Sequence, residues 1–164
     1  MKAKVLNLLC LLLFSSSSLA AALEMKFEER LLAAPFDSGT QQLVSGDGRV
    51  QAVLKDHRAT VRGKFSGLSS PVRAARLFIS PMVGVFPGML LFSLSVSPDA
   101  EGKSGTFTGN FQLSVEQVAA MANQQFYVQL DTRDTTDGAL VGWLMKAKPY
   151  AGEGVPEYGP GYRN

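Results

Sequence analysis

The stretch Gly105 to Lys146, GTFTGNFQLSVEQVAAMANQQFYVQLDTRDTTDGALVGWLMK, decides the fold. Thr106, Thr108, Asn110 and Gln112 alternate with Phe107, Gly109, Phe111 and Leu113, which is the period of a half-buried strand. Ser114 with Gln117 three residues on forms a capping-box pattern, so a short helix opens there. Val115, Val118, Ala119 and Ala122 make its apolar face. Phe126 to Leu130 reads as the next strand, Thr135 to Gly138 as a turn, and Ala139 to Lys146 as the closing strand, which carries the single tryptophan, Trp143.

Working back from that run, strands continue to be the best reading. Arg49 to Lys55 places Val50, Ala52 and Leu54 on one face, and Asp56-His57 makes a short turn. Ala59 to Leu68 alternates again, with Val61 and Phe65 inward and Arg62 and Lys64 outward. Ala74 to Ser80 is a strand ended by Pro81, and Met89 to Val96 is another after a bend at Gly84 and Pro87. Met25 to Leu32 fits either a helical spacing or a leading strand, and the strands that follow favour the latter. About eight short strands with turns every ~8–12 residues predict an all-β fold. The expected architecture is an antiparallel Greek-key β-sandwich, immunoglobulin-like or superoxide-dismutase-like, with one short helix.

The chain has 164 residues, enough for one domain. Lys2 and Lys4, the apolar run Val5 to Phe14 and the small residues Ser15 to Ala22 have the layout of a signal peptide. An apolar run of about ten residues is too short to span a bilayer, so no stable membrane anchor is expected after cleavage. The expected organisation is a signal peptide over 1–22, a domain over 23–148 and a Gly/Pro/Tyr tail over 149–164. Removing Lys2 and Lys4 takes Lys+Arg from 16 to 14 against 14 Asp+Glu. The exported chain is then formally neutral, which removes the main support for a nucleic-acid partner. Cys10 leaves with the same segment, so no disulfide framework remains. The expected destination is the periplasm or the exterior.

The segments ATVRGKFSGLSSPVRAARLFIS, SGTFTGNFQLSVEQVAAM, FYVQLDT and GALVGWL, in that order, resemble the CHRD domain, a chordin-type family found in many secreted bacterial proteins. The likeness covers Val44 to Lys146. The family's "AHIHG" histidines fall on Arg76 and Phe78, its "NVHT" histidine on Asp131, and the Glu and Arg of "GEIRGQ" on Ala139 and Val141. Three such histidines could hold zinc or copper; this chain has none of them, and no cofactor is expected. The resemblance implies that the side chains of Arg76 and Asp131 converge, which makes them a candidate structural ion pair, with independent surface charges as the alternative.

Other constellations offer little chemistry. His57 is a turn residue and the only histidine. Asp131, Asp134 and Asp137 recur every third residue, unlike the alternate oxygen ligands of an EF-hand loop. Neither a nucleophile–base pair nor a glycine-rich phosphate loop is evident. Met82 to Phe92, MVGVFPGMLLF, is the most apolar segment outside the leader. It is either a core strand with a bend or an exposed contact segment centred on Met82, Val85, Phe86 and Met89. The expected function is that of an exported, non-enzymatic binding or structural module of the bacterial envelope, with an envelope or extracellular protein as partner. A metal-dependent or redox protein on a Greek-key scaffold and a small apolar-ligand carrier are the alternatives.

Overall fold

A computed structural model describes residues 24–33 and 43–147. The leader over 1–22 and the tail over 149–164 lie outside the described residues. In chain order the elements are β1 (Glu24–Ala33), β2 (Asp47–Lys55), β3 (Arg58–Ser66), β4 (Val72–Ile79), β5 (Met89–Pro98), β6 (Gly105–Gln112), α1 (Val115–Ala122), β7 (Phe126–Thr132) and β8 (Leu140–Trp143). Period-two patterning builds most of them. β2 turns Val50, Ala52 and Leu54 inward, and β3 turns Ala59, Val61 and Phe65 inward across the tight turn at Asp56, whose φ is 54°. α1 begins where the Ser114 hydroxyl accepts from the Gln117 amide and the Gln117 side chain accepts from the Ser114 N–H, the reciprocal bonds of a capping box.

The sheet is a closed antiparallel barrel with strand order β1-β2-β3-β6-β5-β4-β7-β8. This corrects the sandwich expectation. A sandwich leaves each sheet two free edges, whereas here β1 pairs with β2 over its length and with β8 through Leu32↔Val141 and Ala33↔Leu140. The seam continues with Glu28 N–H donating to the Met145 carbonyl at 2.9 Å and Ala147 N–H donating to that of Lys26 at 2.9 Å. Strand number and turn spacing are the same in both architectures. Closure is decided by these few pairings between residues at opposite ends of the domain. The fold remains all-β with one short helix. β7 lies beside β4, which begins the β4-β5-β6 meander, so this part is a Greek key.

An eight-stranded barrel has an interior just wide enough to be filled by side chains. Phe27, Phe107 and Phe126 fill it together with Leu31, Leu54, Leu77 and Leu130, all essentially inaccessible. Each such leucine contributes about 1.5–3 kcal/mol of burial. Outward positions on β2, β3 and β6 are instead Arg49, Gln51, Arg62, Lys64, Thr106 and Thr108. An apolar inside and polar outside is the reverse of a barrel that spans a membrane. Among the described residues no helix is long and apolar enough to cross one.

Gly63 shows how tight the interior is. A Cβ there would lie 2.1 Å from the Phe107 ring and 2.5 Å from the Arg49 carbonyl oxygen. Gly63→Ala is expected to lower stability by about 1–3 kcal/mol in urea unfolding, as overpacking does. Adding Phe107→Leu should recover part of that loss. Equal midpoints for wild type and Gly63→Ala would show that the ring does not occupy this space.

Candidate functional site

β7 is buried along its whole length. Phe126, Val128 and Leu130 belong to the barrel core, so Tyr127, Gln129 and Asp131 project from the outer face. They are covered from outside. On the neighbouring strands Phe78 pairs with Tyr127, Arg76 with Gln129, Val141 with Gln129 and Trp143 with Tyr127. Phe78 and Tyr127 stack with ring centroids 5.0 Å apart. Phe86 meets Tyr127 edge-on at 4.9 Å and lies 5.5 Å from Trp143. These rings form a second apolar cluster outside the barrel, bounded by Val141.

The loop carrying Phe86 is held at several points. The Ser80 hydroxyl donates to the Val85 carbonyl at 2.8 Å, and the Gly88 N–H donates to the Tyr127 phenol oxygen at 2.9 Å. The Gln125 side chain donates to the Pro81 carbonyl. Gly88 must be glycine, because a Cβ would lie 2.5 Å from the Ile79 carbonyl oxygen and 2.9 Å from the Tyr127 ring. Burial pushes the Tyr127 phenol above its ordinary pKa, an effect the Gly88 N–H partly offsets. Held this way, the loop turns Phe86 toward the barrel and leaves Met82, Val83 and Val85 exposed, with Met89 and Leu90 beside them at the start of β5. The candidate contact segment is therefore divided: Met82, Val85 and Met89 face solvent, and Phe86 packs inward.

Arg76 and Asp131 are in contact. Ala74 is the residue opposite Asp131, so Arg76 reaches it diagonally across the two strands. The arginine Nη2 donates to Asp131 Oδ2 and, at 3.3 Å, to the Thr136 carbonyl. Gln129 Nε2 donates to Asp131 Oδ1 at 2.7 Å. The contact engages one guanidinium nitrogen and is not bidentate; Arg76 Nε is buried without a partner. The Arg76 side chain is 29% exposed and that of Asp131 0%. Burial pushes the Asp131 carboxyl above the usual aspartate range; Gln129 and Arg76 oppose this and Asp137 adds to it. Both Asp131 oxygens thus accept hydrogen bonds, and the side chain is fully buried.

An open groove of about 410 Å³ runs along this face. Phe78, Phe86 and Pro87 line its apolar side, and Arg76, Gln129 and Asp137 its polar side. The far wall is a fixed turn. Thr132 and Thr135 share a 2.6 Å hydroxyl contact, and Arg133 N–H donates to the Pro71 carbonyl at 2.9 Å. Asp134 accepts from Arg133 Nε at 3.0 Å, and its backbone N–H donates to the Ser70 hydroxyl at 3.2 Å. Among the described residues no three His, Cys, Asp or Glu side chains gather as metal ligands. His57 lies in the β2–β3 turn with Nδ1 3.2 Å from the Leu113 carbonyl oxygen. Tyr127 and Gln129 escape a reading based on charge and family motifs alone. The alternation in FYVQLDT is the signal that puts them on one face with Asp131.

No family model matches the chain, and neither a curated protein nor a solved structure does.

The ion pair generates a pH prediction. The raised folded-state pKa means that the folded chain binds more protons than the unfolded one between the two values. Stability from Asp131 is thus fully present below the unfolded value of about 3.9 and is lost as pH rises through the folded value. Asp131→Asn should flatten this part of the stability profile, read by urea unfolding across the acid range. An unchanged slope would place the titration elsewhere. Arg76→Ala should cost about 2 kcal/mol near neutral pH, less than a fully buried pair because the arginine is partly solvated. The cost should shrink as pH falls through the folded-state value and Asp131 becomes protonated.

Proposed function

We propose that the protein is an exported, non-enzymatic polypeptide-binding module of the bacterial envelope. The observation that carries this reading is the rigid display of apolar side chains beside the groove. Met82 is 61% exposed and Met89 65%, on a segment tied down by Ser80, Gln125 and Tyr127. An apolar patch held in one shape loses little entropy on binding. The neighbouring groove adds an apolar wall and a partly exposed guanidinium, suited to an aliphatic or aromatic anchor followed by a backbone carbonyl or carboxylate. Export rests on the leader-like layout of the first 22 residues.

Kinship with the CHRD family is part of the same proposal. It rests on the quoted motifs, and what supports it is the meeting of Arg76, Phe78 and Asp131 on one outer face. Positions that carry histidines in the family would have to share a site in that way. A carrier with its ligand inside the barrel has less support, since aromatic and aliphatic side chains occupy the interior. A metal-dependent reading lacks a clustered donor set among the described residues.

Crosslinked capture from the native envelope should recover a specific protein with the wild-type chain. Met82→Asp/Met89→Asp should lose it while keeping its unfolding free energy within about 0.5 kcal/mol, as exposed substitutions do. Recovery of the same partner by both chains would remove this face as the contact surface.

A further inference from the structure

The opposite flank of the barrel carries a feature that this function leaves unused. Among the described residues from β1 to β3, the β2–β3 turn included, the exposed charges are seven Lys or Arg and four Asp or Glu. Beyond β3 the exposed charges of the described chain are four basic and five acidic. A nearly neutral molecule is therefore polarised, with its positive charge gathered on one side.

Register sharpens the arrangement. Arg30 lies opposite Arg49, and Arg49 opposite Lys64. Three cations thus stand in one row across adjacent strands, within about 10 Å. Arg62 lies in the next row, opposite Gln51. Like charges directly opposite one another destabilise a sheet. The acidic relief is small: Glu28 reaches Arg49 at 3.6 Å, and the Glu29 carboxylate accepts from the backbone N–H of Arg30. Among the described residues Arg30, Arg62 and Lys64 form no ion pair with a carboxylate. The rows continue into hydroxyls, Lys64 to Thr106 and Ser97, and Arg62 to Thr108 and Ser95. A shallow groove of about 560 Å³ crosses Arg49, Arg62, Lys64 and these threonines.

We infer that this face binds an acidic polysaccharide, its sulfate or carboxylate groups on the cation row and its sugar hydroxyls on the threonines and serines. The groove residues include no aromatic side chain other than Phe107, which is buried in the core, so bases of a single-stranded nucleic acid would find nothing to stack on. A lipid surface is disfavoured by direction. The exposed apolar segment adjoins β4 and β5, across the barrel from β1 and β2, so cations and apolar side chains cannot enter one membrane together. The site is independent of the polypeptide-binding face, and either can fail without the other.

Dextran sulfate is the test polymer, with the full chain immobilised. Binding should weaken about tenfold or more between about 50 and 200 mM salt, as counterion release requires. Arg62→Gln/Lys64→Gln should weaken it about tenfold, and Arg73→Gln/Lys103→Gln, on other parts of the barrel, by less than about twofold. Lys64→Gln should also raise the urea midpoint by relieving repulsion from Arg49, an effect independent of ligand. The inference is overturned by no retention at the lower salt, by equal losses in the two double variants, or by tighter binding of single-stranded DNA or of phosphatidylglycerol vesicles than of dextran sulfate.

Discussion

β1 is hydrogen-bonded on both sides, to β2 along its length and, on the other side, to β8 at its C-terminal end and to residues 145–147 further back, and the remaining architecture depends on that double pairing. It removes the free edges that a sheet must otherwise protect. It fixes the interior volume, which is why position 63 has no room for a Cβ between the Phe107 ring and the Arg49 carbonyl. It also sets the outward faces relative to one another. With eight strands in a ring, β2 and β4 stand on opposite sides, so the cation rows and the aromatic groove are displayed in opposite directions.

The second constraint is β7, which is buried on both faces although only one of them faces the core. Covering its outer face requires something to pack on Tyr127, Gln129 and Asp131. The 80–88 loop and the 133–138 turn supply that cover, and each is fixed by hydrogen bonds to strand residues. An isolated carboxylate there would be costly to bury. Arg76 and Gln129 compensate in part, which leaves Asp131 short of the stabilisation a bidentate arginine would give. A packed outer layer of this kind turns a smooth barrel wall into a groove with one apolar and one charged side.

Local patterns in the sequence carried much of this structure. The alternation of Val50, Ala52 and Leu54 and the Asp56-His57 turn mark the first hairpin, and Ser114 with Gln117 marks the start of α1. What was not legible was non-local. Leu32 meets Val141 across most of the domain, and nothing in either residue distinguishes a barrel seam from a sandwich strand. Arg76 and Asp131 came together in the sequence only through a family likeness, and the Gln129 and Thr136 contacts around them follow from register and turn geometry. Met82 to Phe92 was readable as core or contact surface, and the structure divides it, with Phe86 inward and Met82 and Met89 outward. The cation row was hidden for the same reason as the seam: Arg30, Arg49 and Lys64 are distant in sequence and adjacent only after pairing.

Closure is the claim on which both faces rest, and backbone NMR measures it most directly. The closed barrel requires cross-strand NOEs between Leu32 and Val141 and between Ala33 and Leu140, with slow hydrogen exchange at the Glu28 and Ala147 amides. Rapid exchange at those amides, together with no contact between β1 and β8, would contradict the barrel and return the fold to an open sheet or a sandwich.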